Sequence, residues 1–274
     1  MILCHNPVVK ISTLTVTVLL FCLTSAPTSS AQQQQQPAAP KPNLSAAEIA
    51  AKLDEVGEGS ALIRSKLEIQ SGADKRVLQL QIKQRRTKSG TNIIYQVLWP
   101  NEHKGEAVIL SQGQGGAKGF LIIPQQKVKR PIASSQMSDL LFDSDLAYQD
   151  AVENFFIWKK QTLGATEAVN GVNCQILESQ PDNPSASIYG KVRSWVDLDR
   201  YVPLRIEKYS SSGQLMRRID VTRVARDEKH HPIPASLTVR GTRQGSVSEF
   251  NGARIDQDVQ FTDADFTPDA ALKL

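Results

Sequence analysis

Cysteine is nearly missing from this chain: only Cys4, Cys22 and Cys174 occur. Two of these sit in an N-terminal stretch that reads as an export leader. Lys10 supplies its positive flank and residues 11–22 its apolar stretch. Ser29-Ser30-Ala31 supplies small residues at a cleavage position, and Thr24-Ser25-Ala26 offers a second one. Loss of residues 1–31 leaves Cys174 alone, so no internal disulfide is available and stability must come from a sizeable core. Cys174 lies in the strand-like Val172-Asn173-Cys174-Gln175-Ile176-Leu177 and reads as a small buried hydrophobe, not a nucleophile. A long hydrophobic run is also missing. The apolar stretch 11–22 is shorter than the roughly 20 residues that span a bilayer, and Thr13, Thr15 and Thr17 dilute it. The expectation is a cleaved leader and an exported chain; a membrane anchor through an uncleaved leader is the alternative. Phe21 is too bulky to precede a lipidated Cys22.

Charge of one sign is missing too. The chain has 32 Lys and Arg against 28 Asp and Glu, a net charge of +4. An interspersed excess this mild does not point to nucleic acid. Arg85-Arg86-Thr87-Lys88 and Lys127-Val128-Lys129-Arg130 fall near turns and read as solvated loops, with contact to anionic headgroups as the other reading. Signatures of catalysis are likewise missing. No Gly-x-Ser-x-Gly elbow is present. Gly113-Gln114-Gly115-Gly116-Ala117-Lys118-Gly119 lacks the Lys-Ser/Thr pair that opens the helix of a phosphate loop, and reads as a hairpin turn. Asp139, Asp143, Asp145 and Asp150 lack the central glycine and distal glutamate of a calcium loop, and read as helix caps and a solvated face. His230-His231 are adjacent, whereas a zinc helix needs its histidines four apart. The expectation is no catalytic set, no metal and no cofactor.

What the chain has is alternation. Residues 32–43 are a glutamine run followed by prolines, a flexible spacer, and residues 44–274 read as one domain. Ser45-Ala46-Ala47-Glu48 is a capping box ahead of Ile49, Leu53 and Val56 at helical spacing, with Gly57 as a stop. Strands are predicted at 61–69, 77–83, 92–99, 106–110, 119–123, 155–163, 172–178, 188–196, 203–209, 214–224, 235–240 and 254–261. Turn residues such as Val169-Asn170-Gly171, Ser211-Ser212-Gly213 and Asn251-Gly252 separate neighbours. Between residues 131 and 152 the alternation fails, and Asp143 or Ser144 is placed to cap a short helix through Leu146 and Val152. About a dozen antiparallel strands with one apolar face will curl into an incomplete barrel. Pattern alone leaves two readings open: a hollow capped by the two helical segments, or an interior filled by its own side chains.

Three segments carry a resemblance. Asp143-Ser144-Asp145-Leu146-Ala147-Tyr148-Gln149-Asp150 resembles the Gly-Ser-Asp-Phe-Ser-Tyr-Glu-Asp-Leu segment of the LolA-like outer-membrane lipoprotein-sorting proteins, within the LolA/LolB carrier superfamily. Trp195-Val196-Asp197 followed by Tyr201-Val202-Pro203-Leu204-Arg205-Ile206-Glu207, with Gly213 in the next turn, resembles their Trp-Val-Asp…Pro-Leu-Arg hairpin. Phe266-Thr267-Pro268-Asp269-Ala270-Ala271-Leu272 resembles their closing Phe-Thr-Pro-Glu-Ala-Leu. Asp143 stands where that family has glycine. The resemblance implies an unclosed antiparallel barrel of about 11–12 strands with short helices as lid or plug, and a non-enzymatic carrier of acyl chains for outer-membrane sorting.

On that footing the residues expected to line the hollow are Leu78, Leu80, Ile82, Tyr95, Val97, Trp99, Val202, Leu204 and Ile206. Lid residues are Ile49, Leu53, Leu146 and Tyr148. Arg217 shares a strand face with Leu215 and Ile219, and has two readings: it meets a headgroup or pins the lid, or it faces solvent through a bulge. Expected partners are lipoprotein acyl chains or another lipid, an inner-membrane transporter and an outer-membrane acceptor, with the chain itself a monomer. The alternatives are a lipid-acting hydrolase that uses a residue such as His231, and a binding module of an envelope complex.

Overall fold

Alternating residues between about 59 and 257 form strands because period-two patterns can bury one face of a pleated sheet and wet the other. The computed structural model describes residues 44–113, 115–227 and 230–272. The leader and spacer lie outside them. Thirteen strands form one antiparallel sheet: β1 (Gly59–Ser71), β2 (Asp74–Thr87), β3 (Gly90–Trp99), β4 (Ala107–Gly113), β5 (Gly116–Ile123), β6 (Val128–Ile132), β7 (Lys160–Val169), β8 (Val172–Gln180), β9 (Lys191–Asp197), β10 (Val202–Tyr209), β11 (Leu215–Arg226), β12 (Pro232–Arg240) and β13 (Ser246–Gln257). Their order is β6-β5-β4-β3-β2-β1-β13-β12-β11-β10-β9-β8-β7. The sheet is an unclosed barrel with β6 and β7 as its edges. Every consecutive pair of strands is adjacent in the sheet except β6 and β7. The segment between them, residues 133–159, therefore joins one edge to the other. We call it the strap.

The capping box forms as expected: the Ser45 hydroxyl accepts from the Glu48 amide, and the Glu48 carboxylate accepts from the Ser45 amide at 2.7 Å. It opens α1 (Ala46–Gly57), whose Ile49, Ala50 and Leu53 bury against Leu177 of β8 and Val196 of β9. The strap carries α2 (Tyr148–Val152). Its start differs from the expected one. Neither Asp143 nor Ser144 caps it; Ala147 occupies the cap position and its amide donates to the Asp150 carboxylate at 2.8 Å. The C-terminal residues, with α3 (Pro268–Ala271), lay Ala271 and Phe266 on the outer face of β3–β5, against Ile94, Ile109 and Ile122.

Three strand expectations change. β6 is a strand where a basic loop was expected. It is short and carries Lys129, Arg130 and Pro131, features that shield an exposed edge from pairing. Residues 155–157 form a 3-10 turn, and β7 starts at Lys160. Asn251-Gly252, expected as a turn, lies inside β13. Lys66 opposes Asn251 while Arg64 opposes Arg254, so β13 holds one extra residue there, and Gly252 takes φ +69°. A positive-φ glycine suits a bulge as well as a turn.

Candidate functional site

The strap crosses the inner face of the barrel, and the two halves of that face meet it differently. On the β1–β5 side, Leu67, Leu78, Leu80, Val97, Val108 and Leu110 pack against Met137, Leu141 and Val152 of the strap with no gap to solvent. Farther along β1–β3 the wall continues through cross-strand partners toward β13: Tyr95 opposes Ile82, Ile82 opposes Ile63 and Ile63 opposes Ile255. Farther round, Ile206 opposes Ile219, Val221 opposes Leu237 and Leu237 opposes Phe250. Between these rows and Leu146, Asp150 and Ala151 of the strap lies an open cavity of about 290 Å³. Its lining is apolar apart from Ser65, Ser236, Asp150 and the Tyr95 hydroxyl. Four larger clefts, of about 370 to 550 Å³, lie elsewhere and have markedly more polar linings.

Carboxylates hold the strap over this cavity. Residues 133–159 contain five acidic side chains and one basic one, Lys159. Asp150 is fully buried. One oxygen accepts from Lys208 Nζ at 2.8 Å and from the Tyr189 hydroxyl at 2.6 Å. The other accepts from the Ala147 amide and stands 3.4 Å from Arg217 Nε. Burial alone would push the Asp150 carboxyl up. The charge and hydrogen bond of Lys208, the Tyr189 bond and the Arg217 charge outweigh it and hold the group below its ordinary value. Lys208 and Arg217 are 1% and 6% exposed. Burial, then the charge and hydrogen bond of Asp150, push the Tyr189 hydroxyl far up, so it stays a donor. Nearby, burial raises Glu153, whose Oε1 accepts from Gln149 at 2.7 Å.

Asp145 fastens the strap to β13. Its Oδ2 accepts from the Ser246 and Ser248 hydroxyls at 2.9 and 2.8 Å. Its Oδ1 is buried without a hydrogen bond among the described residues and stands 3.6 Å from Arg243. Phe142 and Asp143 both adopt left-handed backbone, at φ 49° and 55°. This conformation favours glycine and is tolerated by aspartate, which accounts for Asp143 standing where the resembling family has glycine. Arg76 of β2 donates to the Phe142 carbonyl and pairs with the Asp143 carboxylate, and Arg243 donates to the Asp143 carbonyl at 2.7 Å.

The structure distributes the sequence-predicted residues over four places. Ile82, Tyr95 and Ile206 line the cavity. Leu78, Leu80 and Val97 lie on the same face in the filled half. Trp99 ends β3 and is 48% exposed. Val202 and Leu204 belong to the cluster of Cys174, Ile176 and Trp195 on the outer face. The cause is a bulge. The β10–β9 register shifts between Pro203 and Arg205, so residues before it no longer share a face with Ile206. Among lid candidates, Leu146 roofs the cavity and Tyr148 packs in the filled half, while Ile49 and Leu53 sit under α1, off the cavity lining. Arg217 turns inward toward Asp150 and not to solvent.

Sequence reasoning missed Asp145, Asp150, Tyr189, Lys208, Ser246 and Ser248. One signal was available. Lys208 follows Ile206 by two, so alternation puts a cation on the apolar face, where it needs a buried anion. The acid-rich strap supplies that anion.

A family model whose description reads "Uncharacterized protein" matches residues 90–272. No curated protein matches the chain significantly. Solved structures do. A DUF1329 family protein from Desulfovibrio piger superposes with TM-score 0.76 at 19% identity, over 82% of this chain and 97% of its own. A putative outer membrane lipoprotein-sorting protein domain from Vibrio parahaemolyticus gives 0.75 at 18% identity, over 83% and 98%. A LolA superfamily protein from Nitrosomonas europaea gives 0.66 at 19% identity, over 83% and 99%. At these identities the likeness is one of fold: the architecture is LolA-like.

Proposed function

The chain belongs to the family of uncharacterized proteins whose model it matches over residues 90–272, and from its LolA-like fold we propose that it is a periplasmic carrier for the acyl chains of lipoproteins or of another lipid. The observation that carries this reading is the open apolar cavity between the barrel wall and the strap. Each methylene removed from water contributes about 0.8 kcal/mol. Ten of them contribute about 8 kcal/mol, against an association cost of about 4–15 kcal/mol. The net is at most about 4 kcal/mol, as suits a carrier that must hand its cargo on. A volume of about 290 Å³ sits at the low end of ligand cavities, which run roughly 300–1,000 Å³. It suits a single chain; a lipoprotein with several needs the strap to move.

The reading includes export by the leader, loading from an inner-membrane transporter and delivery to an outer-membrane acceptor. It assigns no bond cleavage. His231 lies in a separate cleft, largely exposed beside Asp227, so a hydrolase built on it would not share the apolar cavity. Mass spectrometry of lipids extracted from gently purified protein tests the proposal. Acyl-containing species in stoichiometric amount are expected, together with displacement of a fluorescent fatty-acyl probe by added lipid. Protein that carries no lipid and binds no such probe would overturn it.

A further inference from the structure

The geometry points to an anion site, formed by Lys208, Arg217 and Tyr189, in which Asp150 is the resident occupant; the strap lifts when the anionic head of an amphiphile takes the place of that carboxylate and its chain enters the cavity. This rests on the carrier reading and names its ligand class.

Three donors of the site belong to the barrel side, on β10, on β11 and just before β9, and all converge on one carboxylate of the strap. Asp150 also borders the cavity, although its carboxylate is shielded from it while the strap is down. Head site and chain site are therefore contiguous, with the strap across both. The barrel side is over-supplied with positive charge. Two buried cations face Asp150, and Arg217 Nε is buried with no hydrogen bond among the described residues. The other acid of α2 and its end, Glu153, has Oε2 buried with no hydrogen bond among the described residues. If the strap lifted by itself, it would leave two cations buried without a counter-ion, which is heavily disfavoured. If a carboxylate or phosphate entered as it left, the charge balance would persist. A neutral head gives no such exchange. Opening is thus conditional on the charge of the ligand, since a ligand shifts an equilibrium only through its differential affinity for the two states.

Titration of the full chain with dodecanoate, dodecyl phosphate and dodecanol, at concentrations below micelle formation, tests this. Hydrogen exchange of residues 145–152 reports the strap. Both anionic amphiphiles are expected to bind at least about 100-fold tighter than dodecanol and to speed exchange of those amides. Arg217→Gln and Lys208→Met should erase most of that preference. Acetate and inorganic phosphate should leave the strap protected; opening by either one would make the occupant a free anion and overturn the amphiphile assignment. Equal binding of dodecanoate and dodecanol, or tight binding with the strap still protected, would also overturn the inference while leaving the carrier reading standing. Binding of none of the three would instead overturn the carrier reading. In Asp150→Ala, acetate should raise the thermal midpoint saturably; absence of that rescue in a folded variant counts against the site, and the wild-type titrations decide the matter if the variant does not fold.

Discussion

The two halves of the inner face are built from the same strand pattern, yet one is filled and the other is hollow. Over β1–β5 the strap presents Met137, Leu141 and Val152, and the wall answers with leucines and valines that lie at most 2% exposed. Over β10–β13 and the adjoining ends of β1–β3, where Ile63, Ile82 and Tyr95 line the cavity, it presents Leu146, Asp150 and Ala151, and the wall residues Ile219 and Leu237 keep partial exposure. The difference lies in the cover and not in the wall. Oil holds the strap on one side, with dispersion and burial spread over many contacts. Charge holds it on the other, through a few directional bonds, most of which end on Asp145 and Asp150.

Breaking the charged hold is expected to have the largest effect. Asp150→Asn leaves Lys208 and Arg217 buried without a counter-ion and should cost about 3–5 kcal/mol in urea unfolding. The wild type should show the linked pH dependence. The Asp150 carboxyl lies below its ordinary value in the folded chain, so its stabilisation is complete above the unfolded pKa and is lost as pH falls through the folded one. Glu153 works against it. Its carboxyl is raised by burial, so it penalises the fold above its folded pKa and the penalty is relieved as pH falls. In Glu153→Gln the loss of stability on acidification should therefore be steeper than in the wild type.

Breaking the oily hold comes next. Leu80→Ala, in the filled half, should cost about 2–5 kcal/mol because the cavity it leaves cannot collapse. Leu237→Ala, which enlarges a space already open, should cost clearly less and change ligand affinity instead. Equal losses from the two would erase the distinction between the halves. A third pair sharpens the correction on β10. Leu204→Ala should destabilise by about 2–4 kcal/mol through the outer cluster and leave acyl-probe affinity unchanged. Ile206→Ala should weaken probe binding with the smaller stability loss. The smallest effect is expected at Glu68, between Lys66 and Lys75 at 2.5 Å from each and held down to about 2 by those two hydrogen bonds. Its stabilisation is present above the unfolded pKa and is lost as pH falls toward 2. Glu68→Gln should cost at most about 1 kcal/mol, less at high salt, because the cluster is on the surface.

Much of the barrel was legible because its strands are specified locally. Alternation located most of them, Ser45 and Glu48 announced α1, and Asn170-Gly171 announced the tight turn into β8, with φ 50° and 80°. The errors share a cause. A bulge does not change which residues look like strand; it changes which face they take. At Asn251-Gly252 that turned an interior bulge into an apparent hairpin, and at Pro203–Arg205 it moved Val202 and Leu204 to the outer surface. The strap defeated local reading more thoroughly. Its short turns have no period, and its acids have no meaning until their partners are known. Asp150 and Lys208 are 58 positions apart in the numbering, and no local rule pairs them.

Composition and period were enough to predict an antiparallel β chain with one greasy wall, because alternation and propensity act between near neighbours. Whether that wall would be sealed or left open was settled only when the connection between the two edges of the sheet was drawn across its inner face. Burial of one carboxylate among two cations is a property of that closure, since the cost of an unpaired charge arises only once the tertiary structure excludes water from it.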